Sequence, residues 1–90
     1  MENTTAATSF TLAIVTPGGE IFRGDIQALR VPGAAGSFGV LAGHAPLVST
    51  LAPGVLEVTT ADKHQRYAVT GGLAEVQPTQ VTILADDITP

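Results

Sequence analysis

In Val55-Leu56-Glu57-Val58-Thr59-Thr60, Leu56 and Val58 fall on one face of an extended chain while Glu57 and Thr59 fall on the other. A period of two is the mark of a strand with one side against a core. The polar run Ala61 to Gln65 follows. Arg66 to Thr70 then returns with Tyr67 and Val69 on a common face, so the two segments predict a β-hairpin. Before them, Pro53-Gly54 occupies the two central positions favoured by a type II turn.

Outward from this hairpin the same grammar repeats. Phe10 to Thr16 places Phe10, Leu12 and Ile14 on one face and Thr11, Ala13 and Val15 on the other, a pattern suited to burial between layers. Pro17-Gly18-Gly19 turns the chain, and Glu20 to Arg23 returns as a short partner. Ile26 to Val31 predicts a third strand ended by Pro32 and Gly33, since proline cannot extend a central ladder. Residues 33 to 46, with Gly33, Gly36, Gly39 and Gly43, read as a long irregular loop before a strand at Leu47 to Leu51. Gly71-Gly72 breaks the chain after the central hairpin, and Leu73 to Gln77 and Val81 to Ala85 form the last pair of strands across Pro78-Thr79-Gln80. Ten glycines and six prolines punctuate strands rich in Val, Ile and Thr, and no long amphipathic helix is present. The expected fold is all-β: a flattened β-sandwich of short antiparallel strands without a C-terminal helical domain. Residues 1–9 read as a flexible N-terminal extension and 10–88 as a single sandwich domain.

The chain has 90 residues, no cysteine and a formal net charge of −4, which argues against disulfide staples, thiolate metal sites and a phosphate-tracking surface for nucleic acid. Its apolar runs are far too short to cross a bilayer. His64, between Lys63 and Gln65, reads as solvated. His44 is held between Gly43 and Pro46 in Gly43-His44-Ala45-Pro46, so its imidazole is aimed; a catalytic reading would need Ser37 or Ser49 with Asp62 or Asp86, yet nothing local resembles a nucleophile elbow. A histidine bonded to backbone where the loop rejoins the sheet is the plainer reading. The glycine spacing from 33 to 43 matches neither nucleotide-binding pattern, and Asp86-Asp87 reads as a solvated end. No catalytic residue, cofactor or metal is expected.

Four ordered stretches carry a more specific signal: Gly39-Val40-Leu41-Ala42-Gly43-His44-Ala45-Pro46-Leu47, Leu51-Ala52-Pro53-Gly54, Val69-Thr70-Gly71-Gly72-Leu73-Ala74-Glu75-Val76-Gln77, and Val81-Thr82-Ile83-Leu84-Ala85-Asp86. Together with Leu12 to Pro17 they resemble the epsilon subunit of the F-type ATP synthase over about residues 10 to 88. The resemblance implies a non-catalytic central-stalk subunit that joins the gamma subunit to the membrane rotor ring and passes torque for ATP synthesis. It implies gamma-facing positions at Thr16, His44 and Ser49, and a rotor-ring contact at the tip Ala35, Gly36, Ser37 and Phe38, where Ser37 stands in place of a residue often acidic in the family. With Pro90 as the last residue, it implies coupling without a helical inhibitory arm. The absence of a leader-like start implies a bacterial subunit held peripherally at the cytoplasmic face of the inner membrane. A surface gripped by two neighbours, at about 800 Å² per standard joint, leads to the expectation that apolar side chains such as Val15 or Val40 are exposed in isolation. The competing reading, a small carbohydrate-binding or adhesion sandwich, calls for aromatic platforms, and only Phe10, Phe22, Phe38 and Tyr67 could supply them.

Overall fold

The structure, a computed structural model, describes residues 9–90. The expected extension at 1–9 therefore lies, apart from Ser9, outside the described residues. The strands are β1 (Phe10–Thr16), β2 (Gly19–Ile26), β3 (Ala28–Gly33), β4 (Gly36–Val40), β5 (Leu47–Leu51), β6 (Gly54–Thr59), β7 (His64–Val69), β8 (Gly72–Val76), β9 (Gln80–Ala85) and β10 (Ile88–Thr89). Among the described residues there is no helix.

The strands form a curled sandwich whose two halves are joined by β3. One half runs β4-β3-β6-β7-β10 and the other β5-β8-β9-β1-β2. Alternation drives this closure. On the inner face of the second half, Ser49, Ala74, Ile83, Ile14 and Phe22 form one cross-strand row. From the first half, Leu29, Val31, Val40, Leu56, Val58, Tyr67 and Val69 complete a single apolar core. Each fully buried Val, Leu or Ile side chain among them contributes about 1.5–3 kcal/mol before the entropy of ordering is subtracted.

Several local expectations are corrected. The stretch 33–46 is not wholly irregular: Gly36–Val40 forms β4, a hairpin partner of β3 with register Gly33↔Gly36 through Leu29↔Val40. Its glycines hide the strand from a reading based on side-chain alternation. The third strand does not end before Pro32 but runs through it to Gly33. β3 pairs with β6 at Ala28 to Arg30 and with β5 at Gly33, and the Pro32 carbonyl accepts the Ala52 N–H at 2.8 Å. The missing proline N–H faces this same side, in the gap between the two partners, where no ladder bond is due.

Gly54 is absent from the positive-φ glycines, so Pro53-Gly54 is not a type II turn. Gly54 instead gives room to Pro32, whose Cβ would lie 2.8 Å from a side chain placed there. Not every pair is antiparallel: β1 and β9 run parallel, Thr11↔Gln80 to Val15↔Leu84. β1 also bulges against β2 between Ile14 and Val15, leaving Ile21 as the extra residue.

Gly72 is the tightest point of the second half. Its φ is +135°, and a β-carbon there would collide with the Leu84 carbonyl oxygen. Gly36 has the same φ with open space around it. Gly72→Ala is expected to lower unfolding stability by at least about 3 kcal/mol, and Gly36→Ala by about 1–2 kcal/mol from backbone strain alone. Urea unfolding followed by circular dichroism orders the two variants.

Candidate interaction surfaces

The β3–β4 hairpin turns over Ala34 and Ala35 and exposes Ala35, Gly36 and Ser37, with Phe38 half-buried as it folds back onto the core. Gly33 makes this tip narrow, because a β-carbon there would lie 2.7 Å from the Gly36 carbonyl oxygen and 2.9 Å from the Phe38 ring. Of the four residues expected at the rotor-ring contact, Ala35, Gly36 and Ser37 are thus exposed together at the tip, while Phe38 turns inward.

The three positions expected to face gamma do not form one cluster. Thr16 ends β1 at the turn into β2, where its Oγ1 donates to the Gly19 carbonyl at 3.2 Å. His44 sits in the connector from β4 to β5 at the opposite end of the second half. There Gly43 N–H donates to the Pro78 carbonyl at 2.9 Å, and Pro78 lies in the β8–β9 turn. From Thr11, beside that turn, to Thr16 the strand advances roughly 16 Å at the usual rise per residue. Ser49 lies in β5 on the inner face, half-buried, with its Oγ donating to the Thr50 carbonyl at 3.0 Å. A partner meeting Thr16 and His44 together would have to lie along the strands.

His44 has a backbone partner, as its flanking Gly and Pro suggested. Its N–H donates to the Leu41 carbonyl at 3.1 Å, and its Nδ1 lies 2.8 Å from the Ala45 carbonyl, which accepts from the Nδ1–H tautomer. The positive φ of Gly43, +83°, makes the tight turn that aims the ring. His64 is exposed, as expected, but it opens β7 instead of lying in a connector, and its Nε2 lies 3.4 Å from Glu57.

Apolar exposure is found, though not where it was expected. Val40 is 1% exposed, because it sits on the inner side of β4 opposite Leu29, and Val15 is half-buried. The exposed large apolar side chains are Ile21, Leu41, Val48, Val55 and Leu84. The registers align Thr50, Leu73, Leu84 and Val15 in one row across the outer face of the second half, and Val48, 65% exposed, stands beside its end. Strands apolar on both faces give no sign in sequence of which face meets water, so this row was not legible before the registers.

Replacing His44 with Gln removes one local, solvent-accessible hydrogen bond and is expected to cost less than about 1 kcal/mol. The unfolding midpoints of the two proteins check this, and near-equality makes any binding defect of His44→Gln an effect at a contact surface.

Residues 9–90 match the family described as ATP synthase, Delta/Epsilon chain, beta-sandwich domain. Among characterised sequences, the ATP synthase epsilon chain of Afipia carboxidovorans is 47% identical over 81 residues, covering 90% of this chain and 60% of that protein. The epsilon chain of a Bradyrhizobium species is 50% identical over 78 residues, covering 87% and 58%. This chain thus spans about 60% of the length of the relatives it matches. In the mitochondrial ATP synthase of Euglena gracilis, solved as an OSCP/F1/c-ring assembly, one chain superposes with a TM-score of 0.88 at 29% identity, covering 99% of this chain and 57% of that one. A chain of the central stalk and c-ring structure from Tetrahymena thermophila shares the fold, with a TM-score of 0.75 at 16% identity. With a family match over residues 9–90 and close to half identity to epsilon chains along nearly the whole sandwich, the chain belongs to the delta/epsilon family of ATP synthase chains through its β-sandwich domain.

Proposed function

We propose that the sandwich is a non-catalytic coupling element at the foot of the central stalk, gripped by a gamma subunit on one surface and by the rotor ring at the β3–β4 tip. The observation that carries this reading is the similarity to epsilon chains over 90% of the chain. The geometry supports it in two ways. Ala35, Gly36 and Ser37 form a narrow exposed tip, with Phe38 packed behind it, suited to meet polar loops. The outer row Leu73, Leu84 and Val15, with Val48 nearby, offers apolar area that a larger neighbour would cover. Thr16, His44 and Ser49 are the proposed gamma-side positions, with Ser49 reaching a partner only from the β5 edge.

Torque passes through such a joint only if the connector deforms less than its contacts. A core stitched by ladders on every strand supplies that stiffness. Coupling needs no bond chemistry from this chain and no cofactor in it, and the location that we propose is peripheral, at the cytoplasmic face of a bacterial inner membrane. A sugar-binding alternative has little to stand on: Phe10 and Tyr67 are buried, and Phe22 and Phe38 pack against the core, so no aromatic platform faces solvent among the described residues.

A cognate gamma subunit is expected to retain the ninety-residue chain in co-purification. Leu84→Asp, on a 45% exposed position, is expected to keep the fold while weakening that retention at least about tenfold. The proposal fails if folded wild-type chain does not bind gamma. Added to a stalk-containing complex, the polypeptide Met1 to Pro90 is expected to leave the ATPase rate essentially unchanged; strong inhibition by it would show that the sandwich does more than couple.

A further inference from the structure

The outer face of the first half has a different chemistry from the rest of the molecule. Across it the registers align Gly39, Arg30, Glu57 and Arg66 in one row and Ala28, Thr59 and His64 in the next, with Leu41 just beyond the end of β4. A chain of net charge −4 therefore shows on this face two arginines and a histidine against a single acid. Glu20, Asp25 and Glu75 lie on strands of the other half.

The small residues Ala28 and Gly39 sit between taller neighbours, and the result is an open groove of about 430 Å³ lined by Ala28, Arg30, Gly39, Leu41, Glu57 and His64 among others. Leu41, 64% exposed, forms its apolar wall. Glu57 is already engaged, with His64 at 3.4 Å and Arg66 at 3.9 Å. Arg30 has no acidic partner within ion-pair distance among the described residues.

We infer that this groove is a docking site for a short acidic peptide segment of a partner protein, placing a carboxylate on the Arg30 guanidinium and an apolar side chain against Leu41 over the floor of Ala28 and Gly39. The planar fork of an arginine favours a carboxylate held in two bonds, and the leucine beside it selects against a bare anion. A lipid surface fits less well. Membrane attraction calls for about 4–8 clustered Lys or Arg, whereas this face carries two arginines. The site shares no residue with the positions assigned above to gamma or the rotor ring.

The test is a titration of the isotope-labelled chain, followed by amide shifts in two-dimensional NMR, with the capped pentapeptide Asp-Leu-Glu-Leu-Asp. Its Asn/Gln counterpart and phosphatidylglycerol vesicles are the comparison arms. Shifts confined to Ala28, Arg30, Gly39, Leu41 and His64, absent with the amide peptide and weakened by salt, are the expected result. Arg30→Gln is expected to raise Kd at least about tenfold and Leu41→Ser about threefold, with the spectrum otherwise that of a folded protein. Absence of shifts at about 5 mM peptide, equal binding by Arg30→Gln, or the same shifts produced by the vesicles would each overturn the inference.

Discussion

The two halves of this sandwich depend on a single handover of backbone hydrogen bonds. β3 pairs with β6 through Arg30 and with β5 from Gly33, and the bonds from Ala52 to Pro32 and from Ala34 to Thr50 close the seam. Nothing larger than hydrogen is tolerated on the Cα of Gly33, because the returning β4 backbone and the Phe38 ring occupy the space. The handover bends one layer toward the other, so that both inner faces meet in one core. Beyond the handover the chain turns back at once, and Ala35, Gly36 and Ser37 are left exposed. The same residues that join the layers therefore set the place of the exposed turn.

Separate surfaces follow from this arrangement. The outer face of the β5 half is apolar along Leu73, Leu84 and Val15, the outer face of the β4 half is cationic around Arg30 and Arg66, and the tip is small and nearly uncharged. A rigid body with three chemically different faces can hold the proposed neighbours apart without any moving part. Such separation suits a connector, since each neighbour is read by different physics: apolar area, charge, or shape.

Much of the fold was legible because one face of each strand is buried. The central hairpin, the β1–β2 turn and the β8–β9 pair are written in alternation and in Gly/Pro punctuation. β4 was not, since Gly36 and Gly39 remove the side chains on which alternation is judged, and Pro32 hid the continuation of β3 because its lost donor happens to fall in a gap. The parallel pairing of β1 with β9 joins residues far apart in sequence, which no local pattern reports. For the candidate interaction surfaces, the proposed tip at Ala35 to Phe38 came from motif order and the aimed His44 from its flanking residues. Which of Val15, Val40, Val48 and Leu84 meets solvent is decided by register. A single-residue shift would exchange faces, and the apolar character of both faces left nothing in the pattern to choose between them.

The parallel pairing has a consequence for how the protein is made. β1 emerges from the ribosome before every other strand of the sandwich, yet the neighbour that flanks it opposite β2 is β9, eight strands later. Throughout translation, the Leu12 and Ile14 side chains wait for a layer that does not yet exist, so a nascent chain halted before Gln80 leaves an unpaired edge and an open core. Quality control by proteases therefore has a clear signature to read: an unfinished molecule exposes its oldest strand.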